Sequence, residues 1–167
     1  MLHHAGASDS RTGPGGPRNA MQARDLVRAL LESSGIVRPG SAAGDSLLTD
    51  ALLVTSELVT NAVRHGGGLL AFDAALCAGG TGLRIAVTDA TSARPPDPAS
   101  AAPGAITGQG GFGWPLIRRL TRSVTITPAA QGGKRIEVVV PLDGGAGPHG
   151  ANGPGAAGTG AEGTARV

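Results

Sequence analysis

Glu57 and Asn61 stand four residues apart in residues 53–66, Leu-Val-Thr-Ser-Glu-Leu-Val-Thr-Asn-Ala-Val-Arg-His-Gly. On a helix that spacing places both side chains on one face, one turn apart. A carboxylate there can accept a proton, and an amide oxygen can ligate a hard cation without adding a second negative charge. The same spacing also describes a solvated helix face, with Asp50 and Arg64 as polar neighbours. Asp89 ends an alternating run in which Leu83, Ile85 and Val87 share its parity, so its carboxylate points to the apolar side of a strand. A carboxylate so placed needs a hydrogen-bond donor, and an amino group on a bound heterocycle would serve. The competing reading is a residue just past the strand that caps a turn. Finally, Gly108-Gln-Gly-Gly-Phe-Gly113 matches Gly-x-Gly-x-x-Gly ahead of a short helical pattern. Exposed backbone N–H groups before a helix N-terminus make an anion cradle, whereas a plain glycine hinge would bind nothing.

That glycine run does not fit two common phosphate-binding arrangements. A dinucleotide-binding turn follows a strand and has an acidic residue about twenty positions on; here a Pro-rich loop precedes it and Gln131 occupies that region. A P-loop is excluded because no Gly-Lys-Ser or Gly-Lys-Thr follows.

The elements that must position these residues are legible from periodicity. Met21, Leu26, Val27, Leu30 and Leu31 predict a helix over 20–34, with Gly35 as its stop. A wider apolar stripe, including Leu48, Leu52, Leu58 and Val59, predicts a longer helix over about 45–65, capped by Asp45 and ended by Gly66-Gly67-Gly68. Alternation through Leu70, Phe72, Ala74 and Leu76 predicts a strand over 69–77, and a glycine-rich turn leads to a second strand ending near Asp89. The loop 90–107 carries four prolines, and loops of that length inside a domain are usually functional or mobile. A short helix follows over 114–121, then strands over 123–128 and 134–140, the latter with Ile136, Val138 and Val140 on one face. This order predicts an α+β fold, a two-layer sandwich whose antiparallel-rich mixed sheet carries helices on one face.

Composition supports one domain between two tails. Of 167 residues, 29 are Gly and 12 are Pro; residues 1–18 and 143–167 hold thirteen of those glycines and four of the prolines. The tails lack apolar residues to offset ordering entropy and are expected to be disordered, leaving 19–142 as the domain. No apolar run reaches membrane-spanning length, and the N-terminus has no apolar core of a signal peptide. The lone Cys77 excludes a disulfide framework and fits a reducing cytoplasm. A net charge of +2 and only three aromatics (Phe72, Phe112, Trp114) argue against direct nucleic-acid binding.

Taken in order, Glu57-Leu-Val-Thr-Asn61, Asp89 and the Gly-rich loop resemble the ATP-binding domain shared by chaperone, gyrase and histidine-kinase ATPases, the GHKL or Bergerat fold. Residues 53–66 resemble its N box, and the likeness extends over about 20–142. Within that superfamily the chain is most similar to stand-alone bacterial regulators related to anti-sigma-factor serine kinases. The resemblance implies ATP and Mg²⁺ as ligands. Asn61 would coordinate Mg²⁺ on the nucleotide phosphates, and Glu57 would act as general base. Asp89 would accept a hydrogen bond from the adenine amino group. Gly108, Gly110, Gly111 and Gly113 would form a phosphate lid, while Arg64 and His65 would either add phosphate contacts or belong to a solvated helix end.

The resemblance further implies a cytoplasmic serine/threonine protein kinase that phosphorylates a small antagonist such as an anti-anti-sigma factor, with a sigma factor as a further partner and a homodimer as the assembly. A nucleotide-gated partner-binding module without useful turnover is the alternative. Two positions depart from the pattern. The adenine box of many relatives reads Asp-x-Gly-x-Gly, but Asp89 is followed by Ala-Thr-Ser-Ala; and Lys134-Arg135 follows Gly132-Gly133 where relatives often carry a hydroxyl residue. No phosphoacceptor His in a dimerising-helix context is present, which argues against a complete histidine kinase.

Overall fold

The longest element, α2 (Ala42–His65), forms because apolar residues recur at helical spacing and both ends are satisfied locally. The structure, a computed structural model, describes residues 16–38, 40–95 and 113–143. Ser41, rather than the expected Asp45, caps α2: its hydroxyl accepts from the Gly44 N–H at 3.1 Å. Asp45 falls inside the first turn, where its carboxylate complements the positive end of the helix. The helix ends as expected at its glycines, with the Gly66 and Gly68 N–H groups both donating to the Ala62 carbonyl at 3.0 Å. Gly67 takes φ +72°, a left-handed conformation that glycine adopts without a Cβ penalty. A shorter helix, α1 (Ala20–Ser33), is capped by Asn19, which accepts from the Gln22 N–H at 3.0 Å. Gly35, at φ +69°, releases the chain after it.

Four strands follow: β1 (Leu69–Leu76), β2 (Gly82–Asp89), β3 (Ser123–Pro128) and β4 (Lys134–Pro141), with α3 (Gly113–Leu120) between β2 and β3. Their spatial order is β1-β2-β4-β3, and all three described pairings are antiparallel. Each pleat divides the sheet into an inner and an outer face. Inward, Phe72, Ile85, Val87, Ile136 and Val138 bury against Val27 and Leu31 of α1, Val54 and Leu58 of α2, and Ile117 of α3. Outward, Arg84 of β2 pairs with Glu137 of the neighbouring β4 at 3.3 Å, and Arg135 of β4 reaches past β2 to Asp73 of β1 at 2.8 Å. The helices therefore cover one face of an α+β sandwich. Among the described residues, no helix is long and apolar enough to cross a membrane.

One alternating position departs from expectation. Leu70 is 57% exposed, although Phe72 and Ala74 of the same predicted face are buried. The register shifts between Leu69 and Ala71, which pair with Asp89 and Thr88, so Leu70 is an extra residue in a bulge. One inserted residue turns the side chains on either side of it to opposite faces. Of the expected tails 1–18 and 143–167, residues 1–15 and 144–167 lie outside the described residues, as does most of the Pro-rich loop.

The packing sets an expectation for stability. Leu58 is fully enclosed between the helices and the sheet, whereas Val63 on the same helix is 52% exposed. Leu58→Ala should cost about 2–5 kcal/mol and Val63→Ala less than about 1 kcal/mol, read as the shift in urea unfolding midpoint. Equal losses at the two positions would contradict this placement of the core.

Candidate functional site

The two polar residues of α2 meet the first residue of α3. Gly113 packs so closely on α2 that a Cβ at that position would lie 2.5 Å from Glu57 Oε2 and 3.6 Å from Asn61 Nδ2. A Cβ there would displace the Glu57 carboxylate, so the N-terminus of α3 lies directly against that group. That contact is electrostatically favourable because the first N–H groups of a helix carry partial positive charge. Glu57 and Asn61 are both half-buried, so they form a recessed polar face rather than a fully solvated one.

Asn61 carries an unmet demand. Among the described residues its Nδ2 is buried with no hydrogen-bond partner. The two ends of a side-chain amide are interchangeable by a flip, so the same recess can present a carbonyl oxygen. A free amide oxygen beside a carboxylate suits a hard cation of the Mg²⁺ type. Among the described residues no group of three or more His, Cys, Asp or Glu side chains is arranged to hold a metal ion. A cation here would take Asn61 together with oxygens brought by a ligand.

The second part of the site lies where α2 ends. The Ala90 N–H donates to the Gly66 carbonyl at 2.9 Å and ties the end of β2 to the cap of α2. Asp89 is buried there with its side chain only 3% exposed, as its parity predicts. Gly66 has no room for a side chain: a Cβ would sit 2.5 Å from Asp89 Oδ2. On the other side Gly133, at φ +81°, presses its Cα against the Asp89 carbonyl.

The donor that a buried carboxylate needs comes from the chain itself. Lys134 Nζ lies 2.8 Å from Asp89 Oδ2 and 3.0 Å from Oδ1, and its own side chain is 8% exposed. It also donates to the Thr91 carbonyl at 3.3 Å, while the Thr91 N–H donates to Asp89 Oδ1 at 3.2 Å. Asp89 and Lys134 are direct partners in the β2–β4 register. Two charges removed from water are tolerable only when paired and hydrogen-bonded in this way. Lys134 is the residue of the candidate site that motif reasoning missed, though the signal was present. It shares the inward parity of Ile136, Val138 and Val140, and an inward ammonium demands an anion.

Of the residues expected at the site, the structure brings together Glu57, Asn61 and Gly113, and sets Asp89 at the cap of the same helix. Arg64 and His65 are exposed in the last turn of α2, where cations complement the helix carbonyls. Gly108, Gly110 and Gly111 lie outside the described residues.

No curated protein matches the chain. A family model described as the histidine kinase-like ATPase domain matches residues 14–140. That span takes in all three helices and every strand up to the last residue of β4, and so both parts of the site: the chain belongs to the histidine kinase-like ATPase domain family.

Proposed function

We propose that this ATPase-type domain is a cytoplasmic protein kinase that transfers the γ-phosphoryl group of ATP to a serine or threonine hydroxyl of a small regulatory protein, of the anti-anti-sigma kind. The observation that carries the proposal is the meeting of Glu57 and Asn61 with Gly113, which puts a proton acceptor and a cation ligand at one helix N-terminus. Bound Mg²⁺ would neutralise charge on the phosphate oxygens and hold them in line for displacement. Asn61 fits the ion through its unpartnered amide. The N–H groups opening α3 present partial positive charge to the phosphates.

Glu57 has the proton-handling role. Its carboxylate accepts the proton of the acceptor hydroxyl as that oxygen bonds to the γ-phosphorus and the bond to the β-phosphate oxygen breaks, releasing ADP. The cost of moving Glu57 is therefore paid in transfer and not in nucleotide affinity. A second reading, a nucleotide-gated module that holds a partner without useful turnover, is favoured by one observation: the buried Asp89 carboxylate is already engaged by Lys134.

Two substitutions separate these roles. Asn61→Ala should weaken Mg-ATP binding by about tenfold or more in calorimetric titration, with little change when Mg²⁺ is left out. Glu57→Gln should leave Mg-ATP affinity within about threefold of wild type while phosphotransfer to a genomically neighbouring antagonist protein falls by about 10²–10⁴-fold. The measurement is transfer of label from ATP to that protein. Absence of transfer by the wild-type chain despite nucleotide binding would leave the partner-binding module; transfer unaffected by Glu57→Gln would remove Glu57 from the reaction.

A further inference from the structure

Asp89 and Lys134 satisfy one another almost completely. The ammonium has three hydrogens, and three chain acceptors lie within reach: Asp89 Oδ2 at 2.8 Å, Asp89 Oδ1 at 3.0 Å and the Thr91 carbonyl at 3.3 Å. The carboxylate in turn takes the Thr91 N–H on Oδ1, and the Gly66 backbone closes on Oδ2. Both side chains are more than nine-tenths buried. A carboxylate in this state is not a free acceptor waiting for a ligand.

We propose that Lys134 is a specificity-determining residue: by holding Asp89 it withholds the acceptor that would read the exocyclic amino group of a purine, so the site takes nucleoside triphosphates through their phosphates with little discrimination between 6-amino and 6-oxo bases. This inference rests on the nucleotide-binding reading of the Glu57–Asn61 face given above. An unpaired carboxylate favours an amino group and repels a carbonyl oxygen. Joined to an ammonium whose hydrogens the chain's own acceptors take up, it offers neither base edge a new hydrogen bond, and the preference for either is cancelled. An adenine amino group reaching Asp89 would exchange one hydrogen bond for another instead of adding one. The departures around it agree with this arrangement. Asp89 is followed by Ala90, Thr91, Ser92 and Ala93, and the turn they form is tied to Lys134 and Asp89 through Thr91.

The test is paired calorimetric titration of the full chain with Mg-ATP and Mg-GTP. In wild type the two dissociation constants should agree within about threefold; in Lys134→Thr, which frees the carboxylate, ATP should be favoured over GTP by about tenfold or more. Lys134→Met, neutral, of similar length and without a donor, carries the same comparison if the threonine variant does not melt cooperatively. A wild-type preference for either nucleotide of about thirtyfold or more overturns the inference, as does a folded variant that keeps the wild-type ratio. Because the readout is binding, a chain that takes both nucleotides equally but transfers no phosphate keeps this inference and loses the kinase reading. A chain that binds neither nucleotide, as wild type or variant, overturns both.

Discussion

A carboxylate buried beside the carbonyl end of a helix is doubly disfavoured, by lost hydration and by the negative end of the helix dipole. Asp89 occupies such a place, with Gly66 of the α2 cap packed on its side chain. The Lys134 ammonium offsets both effects, and it reaches Asp89 only because β2 and β4 pair in the one register that sets the two residues opposite each other. Breaking such a pair strands a buried charge and typically costs about 3–5 kcal/mol. The pair therefore joins three things that would otherwise be set independently: the β2–β4 register, the turn at Gly133 and the position of the α2 C-terminus over the sheet.

Fixing the end of α2 fixes the rest of the site along its length. Asn61 precedes Gly66 by five residues, about 7.5 Å of helix axis, and Glu57 lies one further turn back. One rigid element thus spaces the polar face at α3 from the ion pair at the sheet. The two parts differ in chemical character. At the α3 end an amide nitrogen is buried without a partner among the described residues, which leaves a demand that a ligand can meet. At the sheet end the charges meet each other's demand. A ligand therefore gains most from the first part, and the second contributes order.

The sequence was informative wherever a pattern was local. The apolar stripes of α1 and α2, the inward parity of Asp89 and the glycines ending α2 all follow from periods of 3.6 and 2 and from the conformational freedom of glycine. The cap of α2 was displaced to Ser41 because several residues near a helix start can accept from its free N–H groups, and composition alone does not choose between them. The outward turn of Leu70 depends on a bulge, which is set by pairing with β2 and leaves no mark in β1 itself. Gly113 belongs to a glycine motif, yet the group it lies against, the Glu57 carboxylate, stands 56 positions earlier in the chain. Lys134 stood in an inward position, but its partner was evident only once β2 and β4 were known to be neighbours.

The central claim is that Lys134 and Asp89 remain paired while a nucleotide binds at the other part of the site. Lys134 is the single lysine of the chain, so selective ¹⁵N-lysine labelling gives one side-chain signal without assignment. In a titration with Mg-ATP followed by NMR, the account predicts a sharp ammonium signal, protected from exchange with water, that keeps its position as ATP binds and shifts strongly in Asp89→Asn. A signal broadened away by exchange in the nucleotide-free protein, or one released from its partner on addition of ATP, would contradict it.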